Sequence, residues 1–296
     1  MALTDLSRCS AASRHRADPQ VGTAPVASRW LLIEHQGPWA KKPLTTPPLT
    51  ASLGDDIDRI SASFGGKALL VRRPGRRLPG EDPHSWYAVD TIRRTWVRGS
   101  WKTSEDLLAA AHALGTPLSV SDEDADPMVL VCTHATRDAC CAVRGRPIAA
   151  TLARAMPEEV WECTHLGGHR FAGTILSLPD GACFGRLDPD NALRVIAAHR
   201  DGHTDARYLR GTTRWEPAVQ AALAAVLERY GPDSADDLVP GAIDADGART
   251  VVEVFGRGSL PDRVLVDVVS EALPAAPLSC GDVPKPHLAH RAVIRA

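Results

Sequence analysis

Apolar residues along this chain gather in short runs, separated by stretches rich in glycine, proline and polar residues. Arg29-Trp30-Leu31-Leu32-Ile33-Glu34 predicts a buried strand, stopped by Gly37-Pro38. Leu53, Ile57, Ile60 and Phe64 recur at helical spacing, and Gly65-Gly66 ends that helix. Ala68 to Val71, Trp86 to Val89 and Thr95 to Val97 predict further strands. Ser104 to Leu114 predicts a helix with Ser104 as its N-cap. Ser121 to Pro127 is an acidic break. It lacks the glycine and terminal glutamate of a calcium loop and is expected to be a solvated linker.

A second pattern starts after that break. Met128-Val129-Leu130-Val131 is a continuous apolar strand running straight into Cys132. Arg146 to Met156 predicts a helix with Pro147 near its first turn. Val160 to Cys163 predicts a short strand, Arg170 to Leu178 another, and Gly181 to Leu187 the second arm of a hairpin turned at Pro179-Asp180-Gly181. Asp190 to His199 and Glu216 to Tyr230 predict helices. The succession is that of a compact α/β unit. Beyond Pro232, Thr250 to Phe255 predicts a strand, Val264 to Val269 reads as strand or helix, and the proline-rich tail from Pro274 has no clear pattern. The expected organisation is a flexible N-terminus (1–27), an N-terminal α/β region (28–120), a second α/β domain (127–231) and a C-terminal extension (232–296).

Composition narrows the class. The 296 residues allow two domains, or one with appendages. Hydrophobic residues make up 44% and charged residues 24%, as in an ordinary soluble globular protein. A net charge of −2 offers no basic face for nucleic acid or a membrane surface. The first residues carry no apolar run of signal-peptide type, and no stretch of about 20 apolar residues occurs, so a cytoplasmic location is expected. Seven cysteines are present, and five of them (Cys132, Cys140, Cys141, Cys163 and Cys183) fall within one stretch. In a reducing compartment such a concentration points to metal or redox chemistry rather than structural disulfides. Cys9, Cys183 and Cys280, taken singly, read as small buried apolar residues.

Two segments carry the chemistry. The first is Cys132-Thr133-His134-Ala135-Thr136-Arg137-Asp138-Ala139-Cys140-Cys141, and the second is Cys163-Thr164-His165-Leu166-Gly167-Gly168-His169. Both begin at the C-terminal end of a predicted strand, the edge where α/β sheets place their ligands. His165 and His169 would share a helix face, but each intervening glycine disfavours a helix by about 1 kcal/mol. A tight loop is expected instead, and it would let the backbone approach a bulky group. The eight residues between Cys132 and Cys141 form a loop long enough to wrap a cluster. Of the adjacent Cys140 and Cys141, one is a bystander, and Cys163 and His134 remain rival ligands. Thiolate with imidazole suits zinc, copper or iron, and the wide cysteine spacing departs from the short pairs of structural zinc sites. Cys163-Thr164-His165-Leu166-Gly167 matches half of a Rieske motif, but the chain has no Cys-x-x-His to complete it.

At these residues the chain resembles the sucrase/ferredoxin-like family. The resemblance is carried by the Cys132…Cys141 spacing with Arg137-Asp138 inside it, and by His165-Leu166-Gly167-Gly168-His169 followed by Arg170-Phe171-Ala172-Gly173. Leu178 to Leu187 is similar to the hairpin of thioredoxin-like [2Fe–2S] ferredoxins, and Arg29 to Glu34 with Gly37-Pro38-Trp39 fits bacterial members. The resemblance implies an α/β fold, a thioredoxin-like sandwich of ferredoxin type over 127–231, with an additional N-terminal α/β region. It implies a [2Fe–2S] cluster held by Cys132, Cys141, His165 and His169.

The implied function is one-electron transfer to an unidentified redox partner protein, without nucleic acid, membrane or catalysis of its own. No residues pair two carboxylates as the "sucrase" of the family name would require. There is no P-loop, no His-Glu-x-x-His and no Gly-x-Ser-x-Gly. A structural zinc module and a thiol-based redox enzyme of thioredoxin-like fold are the competing readings. The absence of Cys-x-x-Cys weighs against the second.

Overall fold

The computed structural model describes residues 7–75, 84–116 and 127–295. In chain order the elements are α1 (Cys9–His15), β1 (Arg29–Glu34), α2 (Ala51–Ser63), β2 (Gly66–Arg72), β3 (His84–Asp90), β4 (Thr95–Trp101), α3 (Ser104–Ala113), β5 (Met128–Cys132), α4 (Ala139–Ala155), β6 (Val160–Cys163), β7 (Ile175–Leu178), β8 (Ala182–Phe184), α5 (Pro189–Arg200), β9 (Leu209–Thr212), α6 (Pro217–Tyr230), β10 (Leu238–Asp246), β11 (Arg249–Gly256), β12 (Val264–Ala276) and β13 (Lys285–Ile294). This is a mixed α/β protein. From β5 to α5 the succession is βαβ followed by ββα. The expected acidic linker at 121–127 falls almost wholly outside the described residues.

The chain divides into two compact units. One comprises Ala27–Leu166 and Ile175–Gly181, the other Met1–Val26, Gly167–Thr174 and Ala182–Ala296. In the first unit the strands run β4-β3-β1-β2-β6-β5-β7. β1 and β2 are parallel, as are β5 and β6, and each parallel pair is linked through a helix. β2 pairs antiparallel with β6 through Val71↔Cys163 and Arg72↔Glu162, and the Arg72–Glu162 ion pair at 2.7 Å reinforces this join. The runs that read as buried strands are buried because helices cover them. Ile57, Ile60, Leu107 and Ala110 from α2 and α3, with Leu114 at the C-cap of α3, pack with Leu31, Ile33, Leu70 and Trp101 of the sheet. These strands therefore show continuous apolar runs rather than alternation.

In the second unit β10 to β13 form a four-stranded antiparallel sheet in chain order. Val252, Val254, Val266 and Val268 are fully buried on one of its faces, and α6 packs on the sheet with Val219, Leu223, Val226 and Leu227 in its buried stripe. β8 and β9, which flank α5 in the chain, pair antiparallel within this unit.

Several expectations need correction. The helix expected from Arg146 begins at Ala139. Asp138 caps it by accepting a 2.8 Å bond from the Cys140 amide, so Pro147 lies inside the helix rather than at its start. The N-cap of α3 is Thr103, not Ser104, because Thr103 and Asp106 close a reciprocal capping box. The strand expected from Arg170 is a 3₁₀ turn at His169–Phe171, and β7 starts only at Ile175. The segment expected to be flexible contains α1, whose Cys9, Ser10, Ala11 and Ser13 are buried. Val264–Ala276 is strand throughout, and the unassigned tail supplies β13.

Candidate metal centre

Cys132 is the last residue of β5, and Cys163 ends the neighbouring parallel β6 in register with it. The two segments singled out in the sequence therefore leave the same sheet edge side by side. The Thr133 amide donates to the Cys163 carbonyl at 3.1 Å, and the Thr164 amide donates to the Leu70 carbonyl at 2.9 Å. The Thr164 hydroxyl accepts from the Leu70 amide at 3.0 Å. These bonds fix where each segment turns away from the sheet.

The Cys132–Cys141 loop then folds back into α4. Its cap, Asp138, places Cys141 in the first helical turn, where the helix dipole favours a thiolate. The His134 ring donates from Nε2 to the Ala40 carbonyl at 2.9 Å and sits edge-on to Trp39. The Thr136 hydroxyl donates to the Trp39 carbonyl at 2.7 Å. The loop is thus pinned at two points to the Trp39–Ala40 segment. Farther along, α4 crosses the end of β5 at Gly145. A Cβ there would stand 2.1 Å from the Cys132 carbonyl oxygen, so only glycine permits the approach.

The result is a three-donor group of two buried thiols and one half-buried imidazole. Ligand atoms of Cys132, Cys141 and His165 all lie within 4.8 Å of one another. Cys141 Sγ is 3.8 Å from His165 Nδ1, and Cys132 and Cys141 are 2% and 3% exposed. Donation from the Cys141 thiol holds the Cys132 thiol well below its ordinary value despite burial, and the His165 ring and the Leu166 amide add to the effect. Cys141 is pushed up correspondingly by the adjacent Cys132 sulfur and by burial. A pair that already stabilises one thiolate is prepared for a cation.

His165 also lines a cavity of about 370 Å³ whose other walls include Lys41, Lys42, Asp55, Asp58 and Arg137. Cys140 and Cys163 are fully buried, and neither belongs to the group formed by Cys132, Cys141 and His165. Successive helical side chains point in different directions, which separates Cys140 from Cys141. The His134 ring is committed to the Ala40 carbonyl through Nε2, and burial lowers its basicity.

His169 lies in the second unit, on the 3₁₀ turn, and is 9% exposed. Gly167 and Gly168 precede it with φ of +82° and +69°, so this stretch is the tight loop expected rather than a helix. Sequence reasoning missed what holds the loop. Arg210, 1% exposed, donates to the Gly167 carbonyl at 3.0 Å and to the Thr23 hydroxyl at 3.1 Å. It also donates to the Thr23 carbonyl. Its guanidinium lies 5.5 Å from the centre of the Phe171 ring, beside those of Arg170 and Arg186. Nothing in the local pattern Leu209-Arg210-Gly211 signals a buried arginine. Nor did the sequence single out Gly145, although a glycine inside a helix is a cue to close packing.

The sucrase/ferredoxin-like family model matches residues 20–211, and the chain belongs to that family. A curated relative is altered inheritance of mitochondria protein 32 of Meyerozyma guilliermondii, 27% identical over 81 residues. That match covers 24% of this chain and 29% of the relative, so the chain spans about three-tenths of the relative's length. Among solved structures, the thioredoxin-like [2Fe–2S] ferredoxin from Aquifex aeolicus aligns at 14% identity and a TM-score of 0.25, covering 28% of this chain and 88% of the ferredoxin. A cysteine-to-serine variant of that ferredoxin aligns at the same identity and TM-score, with 97% of its chain covered.

Proposed function

We propose that this protein is a one-electron carrier holding a [2Fe–2S] cluster on Cys132, Cys141, His165 and His169. The observation that carries the reading is the convergence of two buried thiols and one half-buried imidazole from two separate sheet-edge segments. His169 is added by the family resemblance and by its place in the same five-residue loop as His165. The donor set fits the group: soft thiolates and borderline imidazoles suit iron.

When bound, the cluster supplies a site that takes up and releases single electrons. The chain's own residues do the rest. Cys132 and Cys141, nearly closed to solvent, exclude water from the thiolate side. His165 faces a cavity whose charged walls are Lys41, Lys42, Arg137, Asp55 and Asp58. Neutral imidazole in place of anionic thiolate reduces the negative charge at the centre and raises its potential.

The same three donors would also suit a single zinc ion, which is the alternative reading. A thiol enzyme is less favoured, because full burial of Cys140 and Cys163 leaves no accessible nucleophile at those positions. Visible absorption of protein purified without oxygen separates these readings. A reddish-brown sample bleached by dithionite is expected. A colourless sample with zinc would overturn the proposal.

A further inference from the structure

Within the second unit, two cysteines from opposite ends of the chain meet. Cys9 opens α1, and Cys280 lies in the connection between β12 and β13. Their sulfurs are 3.7 Å apart across 271 positions of sequence. Read singly in the sequence, each looked like a small buried apolar residue. Together they form a dithiol. Cys9 is 1% exposed, while Cys280 is half-buried.

We infer that Cys9 and Cys280 form a reversible disulfide that latches the N-terminal helix onto the C-terminal sheet. A low-molecular-weight disulfide is the oxidant. The Cys280 thiolate attacks it and releases one thiol. The Cys9 sulfur then attacks the mixed disulfide at Cys280 and releases the second. One S–S bond is broken and one formed, two electrons pass to the reagent, and the two protein thiol protons end on its two thiol products. Closing the gap to the bond length of about 2.05 Å requires little movement. In a reducing compartment the pair rests as a dithiol and responds to oxidation.

The latch bears on the histidine loop. α1 packs against the turn that carries His169. Arg14 of that helix donates to the Ala172 carbonyl at 3.4 Å, and Arg186 reaches the Ser13 carbonyl at 3.4 Å. Fixing α1 covalently therefore fixes what covers that turn. The bond also closes a very long loop of the unfolded chain, the case in which cross-linking most restricts the denatured state.

The test is incubation of the full chain with oxidised glutathione, then thiol blocking, non-reducing trypsin digestion and mass spectrometry. The expected product joins the peptide 9–14 to the peptide 264–291, each of which holds one cysteine. The thermal midpoint of wild-type protein should rise on oxidation, and that of Cys9→Ser and Cys280→Ser should not. The peptide reading needs only wild-type protein, so it stands even if a variant folds poorly. Glutathione left on Cys280 with no cross-link, a bond from either cysteine to a different one, or zinc retained by the pair through a chelator wash would each overturn the inference. None of these outcomes depends on whether iron is bound elsewhere.

Discussion

Cys141 Sγ stands 3.8 Å from His165 Nδ1, although the two residues are 24 positions apart and belong to different elements. Cys141 comes from the first turn of α4, and His165 from the loop after β6. An imidazole beside a thiolate makes electron transfer sensitive to protons when both are ligands. A histidine ligand keeps a second ring nitrogen that can lose its proton, and the deprotonated ring favours the oxidised state. The midpoint potential should therefore fall as pH rises. His165→Cys or His169→Cys should retain a cluster at lower potential. Redox titration across pH measures both, and a flat wild-type profile would count against histidine ligation.

Gly145→Ala sets two physical effects against each other. Helix propensity alone would make alanine more stable by about 1 kcal/mol. The new Cβ, however, would lie 2.1 Å from the backbone oxygen of Cys132. The clash should win, because neither backbone has room to give. The expected outcome is a lower thermal midpoint and reduced cofactor retention. A more stable variant with full retention would show that α4 moves freely over β5.

Arg210→Lys keeps the charge but loses the fork that binds the Gly167 carbonyl and Thr23 together. A loss of about 2 kcal/mol in denaturant unfolding is expected for hydrogen bonds to a buried charged group. An unchanged midpoint would mean that the histidine loop holds its shape without this arginine.

Asp90 gives a pH-dependent test of the fold away from the centre. Burial pushes its carboxyl up, but the Arg93 amide and guanidinium, the Ile92 amide and Arg29 outweigh that and hold it below its ordinary 3.8. Arg93 and Ile92 bond it at 2.9 to 3.0 Å. A carboxyl depressed in the folded state contributes stability that is present above the unfolded value and lost as pH falls through the folded one. Asp90→Asn should thus be less stable than wild type at neutral pH, and the gap should close below about pH 4. A gap independent of pH would assign the effect to packing.

The meeting of Cys132, Cys141 and His165 was legible because these residues are unusual types at unusual density. Cys132, Cys141 and His165 announce themselves, and the strand ends that carry them are continuous apolar runs. Gly167-Gly168 correctly argued for a loop rather than a helix. The start of α4 was harder to read, because Pro147 imitates a helix beginning and Asp138 had no apolar run beside it to mark a cap. β13 was hidden because Pro286 and the register shift between Leu273 and Ala276 on its partner strand break the alternation. Arg210 and the Cys9–Cys280 contact depend on pairings across 43 and 271 positions, which no local pattern encodes.

The most direct measurement is the iron, acid-labile sulfide and zinc content of the full chain purified without oxygen, beside Cys132→Ala prepared in the same way. The expected result is about two iron and two sulfide per wild-type chain, both lost in the variant. Zinc without sulfide in wild type, or iron and sulfide undiminished in Cys132→Ala, would contradict a [2Fe–2S] cluster at this site.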